Sequence, residues 1–111
     1  MIPNYQQFMR PLLEIVQARN GQEVKLRDII NELADRFDLT EDERNETLPS
    51  GRQSILDNRV GWARTYLTKA GLLKATKRAH FVITARGAQA LLDTNESIDN
   101  DSSVQNSVSF R

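Results

Sequence analysis

The chain has 111 residues and no formal net charge, with 39% hydrophobic and 27% charged residues, which predicts one globular domain able to bury one modest core. It has no cysteine, one histidine and no glycine-rich phosphate loop, which excludes disulfides, thiolate metal sites and cysteine nucleophiles and argues against an autonomous enzyme. No apolar run approaches the roughly 20 residues of a membrane span and the first residues show no basic segment followed by an apolar stretch, so no signal peptide, no membrane partner and a cytoplasmic location are expected.

The first helix is predicted from about Asn4 to Arg19, with Asn4 as N-cap and Tyr5, Phe8, Met9, Leu12, Leu13 and Val16 on one face. Pro11 inside this run either kinks the helix or starts a second piece, and Asn20-Gly21 stops it. Residues 23–26 read as a short extended connection. A second amphipathic helix carries Leu26, Ile29, Ile30, Leu33, Ala34 and Phe37 as its buried stripe, with a solvated face of mixed sign. Thr40 to Glu43 reads as a capping box opening one helical turn, and residues 48–51 as a loop.

A third long helix is predicted over about Ser54 to Ala70, closed by Gly71, with Leu56, Val60, Ala63, Leu67 and Ala70 as core stripe. The period then changes. Residues 72–75 and 80–83 form a β-hairpin whose basic tip is Thr76-Lys77-Arg78-Ala79. Thr84 caps a last helix with Ala88, Leu91 and Leu92 as its apolar residues. From Asp93 the chain turns polar and cannot bury enough apolar area to offset its entropy. The expected organisation is a mostly α winged helix-turn-helix with a small β-hairpin over residues 1–92, and a disordered tail or interdomain linker over 93–111.

The charge is zero in sum and uneven in place. Residues 1–50 hold six Lys/Arg against ten Asp/Glu. Residues 51–92 hold eight Lys/Arg against one acid, Asp57. Residues 93–111 hold one Arg against four acids. A basic block on one helix and a hairpin tip points to nucleic acid. Opposite the core stripe, the third helix presents Asn58, Gly61, Thr65, Thr68 and Lys69, flanked by Arg64 on one edge and by Arg59, Trp62 and Tyr66 on the other. An amide, two hydroxyls, an ammonium and a guanidinium can read base edges and hold phosphates in a major groove. Arg52, before the helix, and Lys77 and Arg78, on the wing, are expected on phosphates. Gly61 costs roughly 1 kcal/mol against Ala within a helix, which close approach of another surface would explain, either a core helix or the DNA. Arg59 is assigned to packing or an ion pair, and Trp62 to the core. His80 has no companion ligands, so no metal and no cofactor is expected.

Ser50-Gly51, the run Asn58-Arg59-Val60-Gly61-Trp62-Ala63, then Leu67 and Ala70-Gly71-Leu72, resemble the N-terminal domain of Mrr-type restriction endonucleases. Pro3-Asn4-Tyr5 with Phe8, Pro11 and Leu12, and Leu39-Thr40 with Glu43-Arg44, resemble it too, so the likeness covers about residues 2–92. The resemblance implies a winged-helix DNA-binding domain placed before a nuclease domain that acts on modified, methylated DNA. The metal ligands of such a nuclease have no counterpart after Asp93.

The leading expectation is a non-catalytic module that binds double-stranded DNA for a restriction system, with a nuclease domain in the same longer chain. Two alternatives stand beside it. One is a protein-interaction or homodimerising winged helix that regulates a nuclease, using apolar surface on the first helix. The other is a free-standing transcription regulator.

Overall fold

A capping box starts the first element. The Asn4 side chain accepts from the Gln7 amide at 2.8 Å, and the Gln7 side chain accepts from the Asn4 amide at 2.9 Å. The computed structural model describes residues 1–93. In it α1 (Tyr5–Gln17) runs through Pro11 as one helix. The bond Pro11 forgoes is to the carbonyl of Gln7, an exposed residue, so the helix continues without a second start. Asn20 and Gly21 end it in the left-handed region, at φ of 56° and 85°.

The extended connection is a strand. β1 (Val24–Lys25) leads directly into α2 (Leu26–Arg36). The short α3 (Glu41–Asn45) starts at a second capping box, between Thr40 and Glu43. The chain then folds back on itself: Thr47 bridges Ser54, and Leu48 donates to the Gln53 carbonyl at 3.0 Å. This loop delivers Ser54 as the N-cap of α4 (Ile55–Lys69), where its hydroxyl accepts from the Asp57 amide at 3.0 Å.

β2 (Leu73–Lys77) and β3 (His80–Ile83) form the hairpin. Its turn is shorter than the sequence indicates. Thr76 and Lys77 still belong to β2, and Arg78 and Ala79 make the reversal, Ala79 at φ 60°. A register shift between Ala75 and Lys77 leaves Thr76 without an opposite residue. β1 pairs with β3, Val24 opposite Phe81, so the sheet has three antiparallel strands in the order β1-β3-β2. Two residues separated by more than fifty positions carry no local pairing signal, which is why the hairpin alone is legible. Thr84 caps α5 (Ala85–Asp93), accepting from the Gly87 amide at 3.0 Å and donating to the Gly71 carbonyl at 2.7 Å.

The core is shared by all layers. Phe8, Leu12, Leu13 and Val16 of α1 are sealed against Ile29 and Leu33 of α2, Val60, Ala63 and Leu67 of α4, and Phe81 of β3. The apolar face of α1, expected as a possible interaction surface, is therefore spent inside the fold. Three of the predicted apolar positions lie outside it: Ala70 is exposed as the C-cap of α4, Ala88 is half-buried, and Leu92 is 77% exposed. The result is a mostly helical, winged-helix-like fold, with α2 and α4 as the helix pair and β2–β3 as the wing. The expected tail begins at Asp93, which is the last residue of α5; its other residues lie outside the described ones.

Candidate nucleic-acid interface

Burial of Leu56, Val60, Ala63 and Leu67 fixes which face of α4 looks outward. Asn58, Gly61, Arg64, Thr65 and Thr68 are half-buried on it, and Lys69 is exposed in the last turn. The Asn58 amide donates to the Gln53 side chain at 3.3 Å, which joins the loop before α4 to the helix. Thr65 donates to the Gly61 carbonyl at 2.9 Å and Thr68 to the Arg64 carbonyl at 2.8 Å. Both hydroxyl protons are thus committed to the helix, and the oxygen lone pairs and γ-methyl groups are what the two threonines offer a partner. Arg64 has a buried Nε without a hydrogen-bond partner among the described residues.

Gln53, Asn58, Gly61, Trp62, Arg64 and Thr65 line a shallow recess of about 370 Å³ on this face. Trp62 is not in the core. It is 49% exposed and lies beside Tyr66, ring centroids 5.9 Å apart, while Tyr66 stacks on Tyr5 at 4.9 Å. The reason is angular: Trp62 stands one residue, about 100°, from Ala63, which turns it off the buried stripe of α4. Arg59 is a structural group. Its guanidinium donates to the carbonyls of Ile2 at 2.8 Å and Pro3 at 3.4 Å, so it holds the N-terminal segment by backbone rather than by an acid.

The remaining predicted residues flank this face in the chain. Arg52 is exposed in the loop before α4. Arg78 is exposed in the wing turn, its carbonyl 2.7 Å from His80 Nδ1. Lys77 stands 3.8 Å from the Glu23 carboxylate, which also accepts from the bulged Thr76 hydroxyl. That hydroxyl bond holds the Glu23 carboxyl below its ordinary range, with the Lys77 and His80 charges adding to it against desolvation. The one acid of the basic block is neutralised. Asp57 takes a two-pronged contact from Arg27 of α2, at 2.6 and 3.1 Å. This partner lies thirty residues away and no local pattern announces it. Among the described residues no carboxylate pairs with Arg52, Arg64, Lys69 or Arg78. Also among them, no group of three or more His, Asp or Glu is placed to hold a metal, and no helix is long and apolar enough to cross a membrane.

Residues 5–93 match the family described as the Mrr N-terminal domain. The chain belongs to that family. The resemblance carried by residues 58–63 and their flanks is borne out nearly over its full expected extent. This Mrr N-terminal domain is 31% identical over 86 residues to the type IV methyl-directed restriction enzyme EcoKMrr of Escherichia coli (strain K12). The aligned part is 78% of this chain and 28% of that enzyme, so the chain spans less than a third of the curated relative it matches. No solved structure matches it.

Proposed function

We propose that this Mrr N-terminal domain is the DNA-recognition element of a restriction-system protein acting on modified DNA, and that it cuts nothing itself. The observation that carries this reading is the positive face. Arg52, Arg64 and Lys69 lie on or beside the outward side of α4 without a carboxylate partner among the described residues, and the nearby Asp57 is already neutralised by Arg27. Phosphates are the partners such a face attracts, through release of their counterions. In this reading α4 enters the major groove, where Asn58, Arg64, Thr65, Thr68 and Lys69 meet bases and the nearest phosphates. Arg52, Lys77 and Arg78 hold the backbone. The relative is named as methyl-directed. A C5-methyl in the groove takes an apolar contact, which the γ-methyls of Thr65 and Thr68 can supply because their hydroxyl protons are bonded inward. A nuclease domain in the same longer protein supplies cleavage.

Fluorescence anisotropy against a short duplex, unmethylated and methylated, across a salt series tests this. A fall of log K with log salt of slope about −3 to −5, for about three to five phosphates, is the expected result. Absence of binding at low salt contradicts it. Thr65→Ser combined with Thr68→Ala is expected to erase any methyl preference, and an unchanged preference removes the threonines from that role.

The interaction-module reading keeps one observation, the half-exposed Trp62–Tyr66 pair. A dimer that dissociates as salt rises, in sizing experiments on a chain that does not bind DNA, is the result that favours it.

A further inference from the structure

Among the described residues nothing inside the fold calls for Gly61. It stands within α4, where glycine is the least favourable residue after proline. Its backbone is ordinary helix, so no left-handed turn calls for glycine. A Cβ at this position meets nothing among the described residues within 4 Å, so no packed neighbour there calls for it either. The other helical glycine is the opposite case. At Gly87 a Cβ would lie 2.3 Å from the Leu72 carbonyl oxygen and 2.8 Å from Ile83 Cγ1.

Gly61 is also part of the lining of the recess on α4, with Gln53, Asn58, Trp62, Arg64 and Thr65 around it. Two carboxamides, a hydroxyl and a guanidinium whose Nε is buried and, among the described residues, unpartnered form a lining of donors and acceptors in which none of these residues supplies a carboxylate. Carboxamides and guanidinium groups pair with the edges of purines, whereas a phosphate seat needs only donors.

We propose that the recess over Gly61 seats the major-groove edge of one base pair, and that Gly61 determines specificity because any side chain there holds that edge away. This rests on the DNA-binding reading above and adds where α4 comes closest to the bases.

The test uses the whole chain and a pool of randomised duplexes of about 20 base pairs. The wild type first selects its preferred duplex. Wild type, Gly61→Ala and Gly61→Leu are then compared on that duplex and on the unselected pool, across salt, and melted. Gly61→Ala is expected to melt higher, by about 3–8 °C, because alanine is the better helix former. It is expected to lose about tenfold or more of its affinity for the selected duplex, the size of one lost base contact, with the salt slope on the pool unchanged. The leucine variant loses at least as much. Affinity of Gly61→Ala within about twofold of wild type overturns the inference and leaves the DNA-binding reading standing. So does a wild type that binds duplexes without preference. A salt slope lower by about one unit overturns it too, since the recess then holds a phosphate. A wild type that binds no duplex overturns both readings.

Discussion

Single residues in this chain separate structure from recognition. Gly87→Ala is expected to cost about 1–3 kcal/mol, because the new methyl meets the Leu72 carbonyl, a backbone atom that cannot give way cheaply. Urea denaturation measures it, and a neutral outcome shows that α5 packs more loosely on Leu72 and Ile83 than these distances imply. Arg59→Ala is expected to cost about 1–2 kcal/mol through its lost bonds to the Ile2 and Pro3 carbonyls, with the salt slope of DNA binding unchanged. A lower slope instead places Arg59 on phosphate. At this scale the sequence was uneven evidence. Asn4, Thr40 and Thr84 cap as their positions indicate, because a cap is a contact over three residues. Trp62 misleads, because size favours burial while its angle on α4 decides against it.

Between elements, two contacts set how the proposed reading face is held. The Arg27–Asp57 pair ties the start of α2 to the first turn of α4. Asp57→Asn is expected to lower stability by about 0.5–1 kcal/mol, the worth of a well-formed partly exposed pair. The same change removes a negative charge beside the duplex, so binding is expected to tighten at low salt. Weaker binding would mean that the pair orients α4. The second contact fixes the wing. Glu23, next to β1, takes the Thr76 hydroxyl and faces Lys77. Its carboxyl is depressed in the folded state, so its contribution is present above the ordinary carboxylate range and lost as pH falls through the depressed value. The difference in Tm between wild type and Glu23→Gln is therefore expected near neutral pH and absent in strong acid. A difference that persists in acid assigns it to packing. The helices and the hairpin are legible from period and caps. The β1–β3 pairing, Arg27–Asp57 and Glu23–Thr76 are not, since each joins residues far apart in sequence.

For the whole molecule, the charge division is what the sequence expresses most directly. An acidic first half and a basic block over residues 51–92 fold into one core, and the fold leaves Arg52, Lys69, Lys74, Lys77, Arg78 and Arg86 of the block exposed while α1 spends its apolar face inside. Lys77→Glu is expected to weaken binding to every duplex alike and to lower the salt slope by about one unit, which an anisotropy titration reads; an unchanged slope takes the wing out of the footprint. The central claim, that α4, its leading loop and the wing form one DNA-binding face, is tested most directly by following backbone amide shifts while a short duplex is titrated into the chain. The account predicts that the shifts gather at residues 52–53, at 58, 61, 62, 64, 65, 68 and 69 on α4, and at 77–78. Shifts gathered on α1 and α5, or none at low salt, would contradict it.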